Sequence, residues 1–208
     1  MKKTDWDIHY LSPSKFTIYS RWVTKRLLIR TLKKWLPTQG TIAELGGAGS
    51  CTYQGIRENC QCSRYVMVDI NDVGLEMVKK RLLSPHDACW KQDLTVPIEN
   101  PPEVFDLVFS VGLIEHFDIA LTKRVIDNHF ALTKKGGIVL MTYPTPTLPY
   151  KITRFILEKT SNWIFFDERP LKAPEVVADI QSAGGEVLSH FINYGIPLTQ
   201  GYVIARKA

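Results

Sequence analysis

Between residues 41 and 143, short apolar runs alternate with stretches whose apolar positions recur at helical spacing. The runs at 41–45, 64–70, 87–93, 104–111 and 138–143 are brief and rich in β-branched or aromatic residues, which predicts strands. Between them, 52–59, 71–83 and 119–133 carry the helical period. Lys135, Gly136 and Gly137 predict a turn into the fifth strand. Two more strands follow at 186–194 and 201–207, joined by a short loop. Together these predict an α/β fold: a doubly wound, seven-stranded, mostly parallel sheet with a C-terminal antiparallel hairpin and helices on both faces.

Two segments flank this pattern. Residues 14–36 read as an amphipathic helix with Trp22, Val23, Leu27, Leu28, Leu32, Trp35 and Leu36 on its apolar side, ended by Pro37 and Gly40. Pro144, Pro146 and Pro149 break the chain before a short amphipathic helix at 150–161 and the apolar run Trp163-Ile164-Phe165-Phe166; another helix is predicted at 174–183. A chain of 208 residues fits one domain, with residues 1–40 as a helical cap and 144–170 as an insertion on the substrate side.

Composition narrows the class. With 45% hydrophobic and 23% charged residues, the chain is neither disordered, collagen-like nor a coiled coil. No apolar run is long enough for a membrane span, and MKKTDWDIHY lacks the apolar region of a secretory signal, so a cytoplasmic protein is expected. Cys51, Cys60, Cys62 and Cys89 have no zinc-ligand spacing, and no metal is expected; Cys60 and Cys62 read as small residues at a helix end. The net charge of +5 is localised: residues 14–36 hold seven basic residues and no acid. The other 19 basic residues (26 less these seven) are outnumbered by 21 acids. Such a helix suits nucleic acid, an anionic membrane surface, or plain solvation.

The chemistry concentrates at TIAELGGAGS. A strand ends at Glu44, and Gly46, Gly47 and Gly49 follow before a helix, where glycines allow a sharp turn and close approach to a ligand. Asp69 closes the next strand about 20 residues on, the spacing at which a carboxylate reaches a ribose diol. Asp93 closes the third strand. A nicotinamide dinucleotide is disfavoured: GAGSCT lacks the third glycine of GxGxxG, and Glu44 would oppose a pyrophosphate. A cationic, phosphate-free nucleoside suits three strand-end carboxylates better.

These residues resemble the class I S-adenosylmethionine-dependent methyltransferases. ELGGAGS is similar to that family's first motif, with Ala48 and Ser50 where glycines are common. VDI at 68–70, KQDL at 91–94, FDLVFSVGLIEHF at 105–117 and KKGGIVLMTYP at 134–144 are similar to the segments that follow in family order. The resemblance implies S-adenosylmethionine as cofactor. It places Glu44, Gly46, Gly47, Ala48 and Gly49 at the methionine end, Asp69 at the ribose, and Ile70, Asp93 and Leu94 at the adenine. It puts Ser110 and Val111 near the methyl.

Methyl transfer is an in-line displacement, so placing the nucleophile and excluding water dominate, and a base matters where the nucleophile must lose a proton. His116 is the candidate base, with packing below the cofactor as its alternative role; Glu115 reads as structural. Tyr143 is expected at the rim, with His9, Tyr10 and Tyr19 as secondary candidates from the N-terminal segment. Asn100-Pro101-Pro102-Glu103 precedes the fourth strand and reads as a loop. Ile152, Phe155, Ile156 and the 163–166 run either pack on the core or form a lid over an apolar acceptor. The expected acceptor is a small molecule or a glycan- or lipid-linked one, with peripheral membrane contact through the basic helix. Nucleic acid is the first rival, but no RNA-binding module is recognisable; an oxidoreductase and a non-catalytic cofactor-binding protein are the others.

Overall fold

The computed structural model describes Thr4, Trp6 and residues 15–208, without the side chains of 15–18. One sheet holds β1 (Gly40–Leu45), β2 (Cys62–Asp69), β3 (Ala88–Lys91), β4 (Phe105–Val111), β5 (Thr133–Pro144), β6 (Gly185–Asn193) and β7 (Gln200–Lys207). Their spatial order is β3-β2-β1-β4-β5-β7-β6. Strands β1 to β5 pair in parallel, while β7 lies between β5 and β6 and runs antiparallel to both. The order reverses between β1 and β4, and a crevice at their carboxyl ends is where open α/β sheets bind ligands.

Helices α1 (Lys15–Trp35), α2 (Tyr53–Asn59), α3 (Asp72–Lys79), α4 (Ile119–Ala131), α5 (Leu148–Lys159) and α6 (Ala173–Ser182) complete the fold. Strand residues alternate between two cores. Ile42, Tyr65, Met67, Leu107, Phe109, Leu140 and Ile204 pack with Leu28 and Leu32 of α1, Ile56 of α2 and Val78 of α3. On the opposite face, Ala43, Val66, Val108, Val139 and Val203 pack with Val125 and Ile126 of α4 and Val176 and Ile180 of α6. The central strands are buried on both faces, which explains their nearly continuous apolar character.

Local chemistry sets the element ends. The Asn71 and Asp118 side chains accept from the backbone N–H of Gly74 and Leu121 and cap α3 and α4. Thr147 does the same for α5, which has a proline in its first turn. Two expectations are corrected. The inward line of α1 is Thr24, Leu28 and Leu32, whereas Trp22 is 49% exposed with the Arg26 guanidinium over its ring. The reason is that Thr24 bonds Gln200 of β7, which fixes the helix's rotation. And β5 begins at Thr133: the Lys135–Gly137 turn is an irregularity within the strand, where pairing jumps from Phe105–Thr133 to Leu107–Ile138 and Gly136 takes a φ of 74°.

Candidate active site

Strand parity decides where each strand-end side chain points. Glu44 shares a face with Ile42 and so turns toward Tyr65 and α2. Its Oε2 accepts from Tyr65 Oη at 2.6 Å and Ser50 Oγ at 2.7 Å, and its Oε1 from Thr52 Oγ1 at 2.9 Å. Ser50 Oγ also accepts from the backbone N–H of Tyr53, so Glu44 holds the glycine turn against the start of α2. Burial pushes this carboxyl above its ordinary range, and the three hydroxyls oppose that.

Gly46 and Gly49 have φ of 69° and 67°, conformations that a side chain would strain. The Gly46 N–H donates to Val68 O at 2.9 Å, locking the turn across the β1–β2 ladder. At Ala48 the turn meets Gly74 of α3, where an added Cβ would stand 2.5 Å from Ala48 Cβ. Asp69 lies on the same face of β2 as Tyr65 and Met67. Its Oδ2 accepts from Ala48 N at 2.9 Å and its Oδ1 from Asn71 N at 2.9 Å, so it ties the turn to α3. Burial raises its pKa, while these amides and that of Ile70 pull it down. Ile70, next in sequence, is 56% exposed.

Asp93 Oδ1 accepts from the Thr95 amide at 2.8 Å and hydroxyl at 2.6 Å. Leu94 beside it is buried. The loop that carries them is held by Asn128 of α4, whose side-chain amide donates to Leu94 O and Val96 O and accepts from Ile98 N. Asn128 was not singled out from the sequence. Its signal is a polar residue on the buried face of an amphipathic helix.

Ser110 is on the face of Val108, so its hydroxyl is fully buried and meets His129 Nε2 at 2.9 Å. His129 Nδ1 bonds Val125 O, and burial lowers the imidazole to about 4, which keeps it neutral. The Ser110 side chain is therefore turned into the sheet–helix layer, unlike Val111, which is half-buried on the other face. Tyr143 differs most from expectation. It is fully buried, with its ring over Gly201 and its hydroxyl 3.1 Å from His190 Nε2 of β6. The reason is again parity, since Tyr143 shares the face of Val139 and Met141, and it belongs to the core rather than the rim.

His116 ends a 3₁₀ turn, Ile114–His116, just past β4. Its side chain is 8% exposed, with Nδ1 3.1 Å from Asp167 Oδ1 and Nε2 3.9 Å from Glu115 Oε1. Trp6 stands edge-on to its ring at 4.8 Å, and Thr4 Oγ1 donates to Asp167 Oδ1. Burial works against the imidazolium, but Asp167, Glu115 and Glu168 outweigh it and raise the pKa. Asp167 is also desolvated, yet its hydrogen bonds to His116 and Thr4 hold it at about 2. Burial pushes Glu115 up to about 8, and its Oε2 has no hydrogen-bond partner among the described residues. Glu168 accepts from Tyr150 Oη and lies 3.8 Å from Arg154. Asp167 and Glu168 were not read as site residues; an acidic pair directly after an apolar run in the insertion was the available signal. Of the secondary candidates, Tyr19 is 52% exposed on α1, and His9 and Tyr10 lie outside the described residues.

Among the described residues, neither Glu44 nor Asp69 forms an ion pair with a basic side chain, and no cluster of metal-ligating residues occurs. Two buried carboxylates without a cation, beside a positive-φ glycine turn and an exposed isoleucine, fit a positively charged nucleoside and oppose a pyrophosphate. A groove of about 430 Å³ opens beside edge strand β3, lined by Trp90, Lys91, Gln92 and Ile98 among others. Its lining includes neither carboxylate, so the chemistry of the strand ends, not this groove, marks the site.

The fold is Rossmann-like, with the glycine turn and its two acids at the carboxyl ends of β1 and β2. Comparison with known proteins is more specific. Residues 44–141 match the family model described as "Methyltransferase domain". No curated protein matches the chain in sequence. Among solved structures, magnesium protoporphyrin IX methyltransferase (ChlM) from Synechocystis PCC 6803, with bound SAH, has a TM-score of 0.73 at 12% identity, covering 98% of this chain and 93% of that one. The N-methyltransferase NodS from Bradyrhizobium japonicum WM9, in complex with S-adenosyl-L-homocysteine, has a TM-score of 0.65 at 14% identity, covering 99% and 93%. Residues 44–141 thus match a methyltransferase domain model, and these two methyltransferases share the fold of the chain. No described helix is long and apolar enough to cross a membrane.

Proposed function

We propose that the protein methylates a hydroxyl or amine of a small-molecule, glycan-linked or lipid-linked acceptor, with His116 as the base. The observation that supports this reading is the His116–Asp167 pair, held at the end of β4 between the 3₁₀ turn and the insertion. Asp167 orients the ring through Nδ1, which leaves Nε2 for the acceptor proton. Glu115, Asp167 and Glu168 make the surroundings unfavourable to an anionic group at the reacting atom and tolerant of a neutral or cationic one.

Bound S-adenosylmethionine supplies an electrophilic methyl group on a sulfonium. For holding it, Asp69 would offer a carboxylate to the ribose hydroxyls, and Ile70, Asp93 and Leu94 would serve the adenine. The Gly46–Gly49 turn receives the amino-acid end, and Glu44 puts its negative charge behind that turn. Trp6 and Phe165 flank His116 and keep water from the base.

The test is incubation with methyl-tritiated S-adenosylmethionine and an extract of the producing cell, split into aqueous and organic fractions. Label moving into either fraction, reduced at least about 100-fold in His116→Gln while S-adenosylhomocysteine affinity stays within about twofold, is the expected outcome. Cofactor binding without label transfer to any fraction refutes it. A His116→Gln rate within threefold of the parent removes His116 as base.

A further inference from the structure

Helix α5 is turned the wrong way round for a helix that packs by its apolar face. A surface helix normally buries its apolar stripe and shows its polar side to water. Here the inward contacts are made by Tyr150, which is buried against Glu168, and by Arg154, which bonds Tyr150 Oη and Glu168 O and stacks 4.7 Å over Trp163. The outward stripe is Leu148, Ile152, Phe155 and Ile156, exposed by 70%, 52%, 59% and 53%. Their spacing puts all four on one side of the helix. Of the apolar insertion residues, Trp163 packs inward; these do not.

Neighbouring segments extend the pattern. Thr147, at the start of α5, bonds Thr199, and Gln200 beside it bonds Thr24 of α1. The loop before Thr199 shows Tyr194 at 64% exposure and lies against Val23 of α1 at Gly195. From there α1 presents Tyr19 and Trp22, each about half exposed. Basic residues outnumber acids here: Lys151 and Lys159 are exposed on α5, whose one acid, Glu158, pairs with Arg154, and Arg26, Arg30, Lys33 and Lys34 are exposed on an α1 that contains no acid. Apolar and aromatic residues interleaved with lysine and arginine match the headgroup region of an anionic bilayer, where rings and aliphatic chains enter and cations meet phosphate.

We infer that α5 lies in the plane of an anionic phospholipid surface, inserting Leu148, Ile152, Phe155 and Ile156, with Tyr19 and Trp22 of α1 and Tyr194 beside it. The positive face favours this occupant over a second copy of the chain, which would bring like charges together. The inference stands on this surface and not on the proposed acceptor chemistry. It would, however, bring the crevice to a lipid-linked acceptor.

The experiment is co-sedimentation of the full chain with vesicles of phosphatidylglycerol and phosphatidylcholine, or of phosphatidylcholine alone, at low and at high salt. Expected are binding to the anionic vesicles at least tenfold above the neutral ones and a fall in binding at high salt. A Phe155→Ser/Ile156→Ser variant should bind at least tenfold less, because two inserted anchors are lost. Its melting temperature should fall by only a few degrees, since both side chains are already more than half exposed. Lys151→Glu/Lys159→Glu is the second variant, should the first not fold, and should lose the preference for anionic lipid. Binding absent at low salt, or unchanged in the folded variants, overturns the inference. So does a dimer by light scattering that the serine variant converts to monomer, which would assign the stripe to a second copy.

Discussion

Substituting Gly74 by alanine tests whether the glycine turn is held by close packing on α3. Gly74 is the third residue of the helix; its N–H donates to Asn71 Oδ1 at 2.7 Å and its carbonyl accepts from Gly49 N at 3.2 Å. A Cβ there would meet Ala48 Cβ at 2.5 Å and the Ala48 backbone at 3.1 Å, so Ala48 must move. In isolation alanine would strengthen the helix by up to about 1 kcal/mol. Against that, overpacking costs about 1–3 kcal/mol. Moving Ala48 also stretches its bond to the Asp69 carboxylate, a charged-acceptor bond worth roughly 1.5–3 kcal/mol. The balance is a loss of about 2 kcal/mol, or roughly 4–8 °C in melting temperature for a chain of this size. S-adenosylhomocysteine affinity should fall about tenfold, because the turn and Asp69 shift together. Calorimetry reads both. Ala48→Gly in the same chain removes the 2.5 Å contact and leaves the 3.1 Å one, so the double variant should recover a substantial part of each loss. A Gly74→Ala protein that melts higher than the parent and binds S-adenosylhomocysteine equally well would refute the reasoning.

Three further outcomes are expected. Glu115 is raised by burial to about 8 from an ordinary 4.5, so the folded state keeps a proton that the unfolded state releases between those values. Stability should therefore decline by about several kcal/mol as pH rises through this window. Glu115→Gln should flatten that decline in denaturant melts, and an unchanged slope would contradict it. In Asp167→Asn the imidazole loses the carboxylate that most favours its proton. Its pKa falls, and because the neutral ring is the active form, the acidic limb of the rate profile should move to lower pH while the plateau drops about tenfold or more; an unmoved limb would show that Asp167 does not act through His116. Tyr143→Phe should keep the parent turnover and lose about 1 kcal/mol or less of stability from its bond to His190, and a large fall in kcat would return Tyr143 to the reaction.

The fold was legible because its signals are local. Brief β-branched runs such as 65–68, bounded by the Asn71 and Asp118 caps and by glycines, leave little choice of element. The five motifs stand in the order of the strands that carry them, so the carboxyl edge of the sheet could be proposed as the site before any coordinate. What failed was orientation. Tyr143 was assigned by its place at a strand end and Trp22 by an approximate helical period, whereas their directions follow from strand parity and from the Thr24–Gln200 bond. Parity was available: Val139, Met141 and Tyr143 are two apart, and so are Val108 and Ser110. The Thr24–Gln200 bond was not, since its partners are 176 residues apart. The His116–Asp167 pair was hidden for the same reason, as it joins β4 to an insertion 51 residues later.

That separation bears on how the two halves of the site relate. The proposed cofactor half is built from residues close in sequence: Glu44 to Thr52, then Tyr65 to Gly74, are cross-linked by Asp69 to the Ala48 amide and by Tyr65 to Glu44. Each bond fixes backbone already confined by a strand or a helix start, so this half is rigid at little entropic cost. The proposed acceptor half joins the 3₁₀ turn to the insertion through Asp167, Glu168 and the Thr4 contact; burial raises Glu115 and Glu168, while hydrogen bonds from His116 and Thr4 lower Asp167. Bonds between distant segments and mutually dependent charges make such a site sensitive to any change in the insertion. Variation within 163–169 should therefore alter the acceptor while leaving cofactor affinity intact, and changes at Ala48 or Gly74 should do the reverse. A Glu168→Gln variant that lost S-adenosylhomocysteine binding would break that division and with it the assignment of the two halves.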